Sequence, residues 1–164
     1  MIPVFAFAAY SGTGKTTLLE KIVLELKSKN LRVCVIKQDA HRIQIDKEGK
    51  DSWRYAQAGA DMTIVSGPEK TAVIDHRERT LQQNLSMVHD VDIVLVEGYK
   101  NEGIPQIGIC RKATGRPLPA EPERYIAIVT DDSDLAYPVP HFDLNDIAGI
   151  TTFILQQAGL AQKG

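Results

Sequence analysis

Ala9-Tyr10-Ser11-Gly12-Thr13-Gly14-Lys15-Thr16-Thr17 decides the fold, and it directly follows the apolar run Pro3-Val4-Phe5-Ala6-Phe7-Ala8. A Gly-x-Gly-Lys-Thr string between a strand and a helix is typical of a phosphate-binding loop, or P-loop. Its glycines let the backbone turn so tightly that several N–H groups point at one anion, and the following helix adds the positive end of its dipole. The strict pattern opens with glycine, whereas this chain has Ala9, which is small enough to fit. The stretch therefore predicts a nucleotide-binding chain.

The polar residues of such a loop have separate tasks. We expect Lys15 to reach the β- and γ-phosphates and the Thr16 hydroxyl to hold Mg²⁺. The predicted phosphate-binding residues run through the loop into the first helical turn: Ser11, Gly12, Thr13, Gly14, Lys15, Thr16 and Thr17. The competing interpretation is a glycine-rich turn that caps an ordinary helix, and it requires the Gly-Lys-Thr pattern to have arisen here by chance.

The composition is that of an ordinary globular protein. The chain has 164 residues, 43% of them hydrophobic and 24% charged, with a formal net charge of −2. We expect a single domain over residues 1–164, with no basic field to attract nucleic acid or an anionic membrane. Cys34 and Cys110 lie in apolar runs without metal-ligand spacing, which favours buried thiols over a disulfide or metal pair. Without a signal-peptide pattern or an apolar stretch of ~20 residues, we expect a cytoplasmic protein.

Apolar runs alternate with helical patterns, which indicates an α/β fold built on a mainly parallel sheet. We predict a P-loop NTPase-like sheet flanked by helices, with an added β-hairpin around Gly67-Pro68. The predicted strands span residues 3–8, 31–36, 62–66, 71–75, 91–96, 106–110 and 125–129. The predicted helices span residues 16–27, 51–58 and 78–88, and a last one begins at Asn145 or Asp146. Strand 31–36 is nearly all apolar and is expected to be buried on both faces, and residues 111–124 to form an exposed connection.

Carboxylates follow three of the predicted strands, at the edge where open parallel sheets bind ligands. We expect Glu97 to ligate Mg²⁺ through a water or to polarise the attacking water, and Gly98 to let backbone approach the γ-phosphate. Asp39 follows the second strand and competes for the same acidic role, and the sequence does not rank the two. Asp131 is a candidate acceptor for guanine N1–H and N2–H₂. An exposed acidic turn is the equal alternative for Asp131.

Several strings occur in order along the chain, and together they are more specific than the P-loop alone. They are Ala-Ala-Tyr-Ser-Gly-Thr-Gly-Lys-Thr-Thr-Leu-Leu (8–19), Val-Ile-Lys (35–37), Gly-Lys-Asp-Ser (49–52), Ala-Gly-Ala (58–60) and Leu-Val-Glu-Gly-Tyr-Lys (95–100). With these strings the sequence resembles the molybdopterin-guanine dinucleotide biosynthesis adaptor (MobB) family, from the first strand to the final helix.

The resemblance implies a homodimeric GTP-binding protein with weak GTPase activity. It implies that the chain assists a molybdenum cofactor guanylyltransferase (a MobA-like partner) in joining GMP to molybdopterin, with molybdopterin itself as a further candidate ligand. By position, Gly12 to Thr17 hold the phosphates and Thr16 holds Mg²⁺. Lys50, Asp51 and Ser52 match a motif close to the nucleotide, and Glu97-Gly98 match a second acidic motif. The family commonly has His where this chain has Gln38, which hydrogen-bonds but does not ionise.

Two other classes share the P-loop. A small-molecule or nucleotide kinase needs an arginine-rich lid, and residues 113–124 carry only Arg116 and Arg124. A metal-delivery GTPase needs clustered His or Cys, and here these residues are scattered. Slow hydrolysis fits polar loops without an evident arginine finger, although Arg42, Arg54, Arg111 and an arginine from a partner remain open for that role.

Overall fold

The structure is a computed structural model that describes residues 1–39, 43–99 and 102–161. It divides into two compact units, the first formed by residues 1–38 and 87–164 and the second by residues 39–86. Each unit is described by itself below. The single domain expected from the chain length remains a prediction.

The first unit is built on a six-stranded sheet in the order β2-β5-β1-β6-β7-β8. Its strands are β1 (Val4–Ala8), β2 (Val33–Lys37), β5 (Ile93–Glu97), β6 (Gln106–Cys110), β7 (Tyr125–Thr130) and β8 (His141–Phe142). All of these pairings are parallel. The predicted α/β class with a mainly parallel sheet is confirmed, and the two-residue strand β8 is an addition that sequence patterning did not find.

One face of this sheet is covered by two helices, α1 (Lys15–Ser28) and α4 (Ile147–Gln157). Apolar side chains of both helices pack with β1, β5, β6 and β7 into the main core, with Ile22 and Leu26 of α1 and Ile154 of α4 each 0% exposed. The Asp146 carboxylate accepts a hydrogen bond from Gly149 N at 2.9 Å and caps α4, as predicted. Burial of these chains anchors α1, and with it the P-loop, on β1.

The opposite face carries a smaller cluster formed by Ala8, Cys110, Leu118, Tyr125 and Ile128. Residues 111–124 are mostly exposed, as predicted for this connection, but Leu118 is 7% exposed and anchors the segment in this cluster. This segment includes two 3₁₀ helices, Lys112–Thr114 and Pro122–Arg124. The Tyr125 hydroxyl accepts a hydrogen bond from Ala120 N at 2.7 Å, and burial raises the pKa of Tyr125 to about 12.

β2 departs from prediction, and it is the edge strand beside β5. Val35 in β2 is 49% exposed and Cys34 is half-buried, so burial of this strand on both faces is wrong. Both cysteines are free thiols, as predicted, but of the two only Cys110 is buried, so the expected burial of Cys34 is wrong. An all-apolar run indicates a hydrophobic strand, but the elements that pack over each face decide whether that face is buried.

The second unit contains α2 (Asp51–Gln57), β3 (Met62–Ser66), β4 (Thr71–Asp75) and α3 (Leu81–Leu85). β3 and β4 pair antiparallel, from Met62 opposite Asp75 to Ser66 opposite Thr71, which confirms the predicted hairpin. α3 begins later than the predicted 78–88 because Thr80 is its N-cap and forms a capping box with Gln83, and it ends earlier, at Leu85. Among the described residues, no helix is both long and apolar enough to cross a membrane.

Candidate functional site: the P-loop and its flanking strands

The loop between β1 and α1 has the backbone geometry of an anion cradle. Gly12 and Gly14 have φ of 84° and 86°, a left-handed conformation that costs glycine little and other residues more. The buried Thr13 hydroxyl donates to Tyr10 O at 2.9 Å and closes the turn from inside. α1 begins immediately afterwards, with Leu18 N donating to Gly14 O at 3.0 Å.

The first turn of α1 is arranged for an external anion. Within the described residues, Gly14 caps this helix without a side-chain hydrogen bond, and the first turn has no acidic residue. It presents Lys15 followed by the exposed Thr16 and Thr17. A cation at a helix N-terminus is unfavourable by itself, because this end of the dipole is already positive. The N–H donors of a helix N-terminus and a lysine at the same place therefore favour phosphate as a ligand.

Glu97 lies directly beside this turn. β5 pairs with β1 so that Glu97, its last residue, is opposite Phe7. The Lys15 Nζ is 3.5 Å from Glu97 Oε1, and the two side chains are only 17% and 12% exposed. The structure thus brings together two residues that the sequence proposed separately, the phosphate-binding lysine and the acid after the buried strand.

Gly98 is required by close packing as well as by its backbone angle. Its φ is 98°, and a Cβ at this position would lie 2.7 Å from Gln38 Cβ. Gln38 N donates to Glu97 O at 2.8 Å, and Gln38 Oε1 accepts from Tyr99 N, also at 2.8 Å. Gln38 therefore keeps a hydrogen-bonding role that orders the turn after Glu97. These contacts explain the glycine without reference to a ligand.

Arg111 is the functional candidate that sequence reasoning left unresolved. It follows β6, the other neighbour of β1, and its Nε donates to Thr13 O at 2.8 Å across a separation of 98 residues. Of the other two arginines left open, Arg54 is highly exposed and has a 3.8 Å contact with Asp51 in the second unit, and Arg42 lies outside the described residues.

Asp131 stands at the end of β7 in an exposed acidic turn, and it is not isolated. Its Oδ1 accepts from Lys112 N at 2.7 Å. The Lys112 ammonium contacts Asp134 at 2.8 Å and Asp132 at 3.3 Å, and these interactions, with Asp134 first, raise the pKa of Lys112. The segment after β6 is thus tied to the P-loop through Arg111 and to the β7 turn through Lys112.

The remaining predicted site residues belong to the second unit. Asp39 is its first residue and is exposed. Lys50 is the N-cap of α2. Asp51 is the first residue of that helix, where its negative charge interacts favourably with the positive end of the helix dipole. The Ser52 hydroxyl donates to Asp46 Oδ1 at 2.9 Å. These contacts give the Gly-Lys-Asp-Ser string a local structural role at a helix start.

The donor set fits Mg²⁺ that arrives with a nucleotide. No group of three or more His, Cys, Asp or Glu side chains is arranged to hold a metal in the part of the chain that the structure describes. Mg²⁺ usually takes one or two protein oxygens and completes its shell with waters and substrate phosphates. The exposed Thr16 hydroxyl and the Glu97 carboxylate meet that modest requirement.

Comparisons with known proteins agree with this geometry. Residues 4–131 match the family model of molybdopterin guanine dinucleotide synthesis protein B, MobB. The molybdopterin-guanine dinucleotide biosynthesis adapter protein of Haemophilus influenzae is 40% identical over 93% of this chain and 88% of its own length. The adapter protein of Escherichia coli is 39% identical over 95% and 93%. The crystal structure of Bacillus subtilis MobB superposes with a TM-score of 0.78 at 27% identity, covering 95% of this chain and 98% of that one.

Proposed function

Because this chain belongs to the MobB family, we propose that it is a GTP-binding adaptor protein of molybdopterin guanine dinucleotide biosynthesis. In this role it binds Mg²⁺ and GTP, hydrolyses GTP weakly, and assists a MobA-like guanylyltransferase that attaches GMP to molybdopterin. Its place of action is the cytoplasm, where GTP is available. Membership supports the pathway, and the P-loop geometry supports the nucleotide.

The observation that carries the proposal is the Lys15–Glu97 pair beside an uncapped helix N-terminus. In the structure, the Lys15 ammonium lies 3.5 Å from a carboxylate oxygen of Glu97. A bound triphosphate would draw Lys15 towards its phosphate oxygens, and Glu97 would then orient a water or hold hydrated Mg²⁺. The pair therefore places a phosphate-binding cation and a water-orienting carboxylate at the same point beside the loop.

Selectivity for guanine is assigned to the β7 turn. The backbone of Lys112 holds the Asp131 carboxylate through one oxygen, which fixes a hydrogen-bond acceptor of the kind that guanine N1–H and N2–H₂ require. Adenine offers no matching pair of donors. Asp131→Asn is expected to reduce the preference for GTP over ATP, with Asp134→Asn as a control in the same acidic turn.

A homodimer is the proposed assembly, and the hairpin supports it. β3 and β4 form an isolated two-stranded sheet among the described residues, and a hairpin alone is marginally stable in water. Ile64, Val65 and Val73 are 61%, 47% and 54% exposed. Pairing with a second copy would protect the strand edges and this apolar surface. Sedimentation at micromolar concentration is expected to show a dimer, and Ile64→Glu is expected to weaken it.

The first test is calorimetric titration of the purified protein with GTP and with ATP, each with and without Mg²⁺. We expect at least a tenfold preference for GTP and tighter binding with Mg²⁺. Preference for ATP would overturn the adaptor proposal and favour a small-molecule or nucleotide kinase. The adaptor role is tested by the rate at which a purified guanylyltransferase forms the dinucleotide with this chain, without it, and with its Lys15→Ala variant.

A further inference from the structure

Arg111 lies at the same edge of the sheet as the P-loop although it is remote in sequence. β6 pairs parallel with β1, with Gly108 opposite Ala8. The carboxyl ends of both strands therefore lie at the same edge of the sheet. β1 is followed there by the P-loop, and β6 is followed by Arg111. This adjacency is a property of the strand order.

The contacts of Arg111 with the loop are specific. Its Nε donates to Thr13 O at 2.8 Å, and its second terminal nitrogen lies 3.2 Å from the place where a Cβ on Gly14 would sit. Gly14 thus serves a second purpose besides its left-handed backbone, since it gives the guanidinium room. The hydrogen bond ties the Thr13 carbonyl, in the middle of the P-loop, to a side chain that follows β6.

The charge of Arg111 lacks a counter-ion in the part of the chain that the structure describes. Neighbouring cations are neutralised there, Lys15 by Glu97 and Lys112 by Asp132 and Asp134. Arg111 is half-buried, and its described hydrogen bond goes to a neutral carbonyl. A partly desolvated cation without an acid beside an anion cradle is costly unless an anion is bound.

We propose that Arg111 supplies the phosphate site, from within the same chain, with its second positive charge, and that it positions the P-loop through Thr13. The inference rests on the proposed nucleotide site and names a residue of that site on the β6 side, opposite to the Lys15–Glu97 side. Its ligand class is a polyphosphate, the group with which a guanidinium forms strong charge-assisted hydrogen bonds.

The test compares Arg111→Met and Arg111→Lys with wild type, using Mg²⁺-GTP and inorganic tripolyphosphate as ligands. Methionine keeps an unbranched chain without charge, whereas lysine keeps the charge and one donor group. We expect Arg111→Met to weaken both ligands about tenfold and by a similar factor, and Arg111→Lys to stay within about threefold of wild type. Arg116→Met, which removes a neighbouring arginine whose guanidinium lies 5.8 Å from the Tyr10 ring centroid, is expected to change either affinity by less than about twofold.

Each outcome separates this inference from the proposed function. If wild type binds neither ligand, the nucleotide site itself fails. If wild type binds both and Arg111→Met binds as well as wild type, only the Arg111 inference is overturned. Loss of GTP affinity with unchanged tripolyphosphate affinity would also overturn it, because the effect would then arise at the base or ribose. Should Arg111→Met not fold, Arg111→Gln, which removes the charge but keeps an amide donor for Thr13 O, decides the matter, since wild-type affinity for tripolyphosphate in that variant would overturn the inference.

Discussion

β5 and β4 are both five-residue strands that end in a carboxylate, and they use it in opposite ways. β5 has four fully buried residues and ends in Glu97, whose cationic partner Lys15 comes from a distant part of the sequence. β4 is largely exposed and ends in Asp75, whose partners Arg77 and Arg79 belong to the turn that follows it. An ion pair within one turn fixes local geometry, whereas a pair between the P-loop and a neighbouring strand would open if a ligand replaced one partner. On the proposed function, this difference distinguishes the structural carboxylate of Asp75 from the functional carboxylate of Glu97.

The largest expected effect is on stability, and it compares truncation of a side chain within β5 with truncation of a side chain within β4. Leu95 in β5 is 0% exposed, and Val73 in β4 is 54% exposed. Leu95→Ala leaves a cavity in a packed core and is expected to lower the free energy of unfolding by about 2–5 kcal/mol. In unfolding measured at a protein concentration low enough to keep the chain monomeric, where the proposed dimer does not cover Val73, Val73→Ala is expected to cost less than about 1 kcal/mol. Denaturant unfolding of both variants measures the difference, and equal losses would contradict the contrast in burial.

The next largest effect is expected from mutating the cationic partner of each carboxylate, Lys15 beside Glu97 and Arg77 beside Asp75. Lys15→Ala is expected to weaken GTP binding at least about 100-fold, because it deletes the charge that reaches the phosphates. Arg77→Ala, the matched change beside Asp75, is expected to leave GTP affinity unchanged. Calorimetry with thermal unfolding as the folding control measures both variants. If Lys15→Ala kept its affinity for GTP, the nucleotide would have to bind somewhere other than the P-loop.

A third comparison neutralises each carboxylate and measures the rate of GTP hydrolysis. Glu97→Gln is expected to slow GTP hydrolysis at least about tenfold while affinity stays within about threefold, because the amide does not polarise water as a carboxylate does. Asp75→Asn is expected to leave hydrolysis unchanged. Single-turnover phosphate release distinguishes the two variants. Unchanged turnover in Glu97→Gln would transfer the acidic role to Asp39.

The smallest effect is the pH dependence of the Asp75 pairs. The Arg77 hydrogen bond lowers the pKa of Asp75 to about 2, below the unfolded value of about 3.9. A lowered folded pKa stabilises the fold above the unfolded value, and this contribution is lost as the pH falls towards 2. Wild type is therefore expected to be more stable than Asp75→Asn at pH 7, and the gap in melting temperature to shrink below pH 4. A gap that is constant down to pH 2.5 would contradict this assignment.

Sequence reasoning located most elements and singled out Lys15 and Glu97, which the structure brings together. It predicted the P-loop, a start of α4 at Asn145 or Asp146 and the hairpin at Gly67-Pro68, because each depends on residues that are close together in the chain. It placed Glu97 at the correct sheet edge through the rule for parallel strands. It misjudged β2, because a run of apolar residues does not tell which elements pack over the two faces of a strand. It missed β8, since two residues carry no usable periodicity.

Arg111 shows what the sequence alone leaves open. Nothing near it in the chain signals a ligand, and the proline-containing segment that it begins was expected to be exposed. Its partner Thr13 is 98 residues away, and the two meet only because β6 lies next to β1. The chain by itself determined the P-loop, since glycine conformations and a helix start are local properties of contiguous residues. The tertiary structure alone decided which charges surround that loop, because strand order sets which distant strand ends share one edge of the sheet.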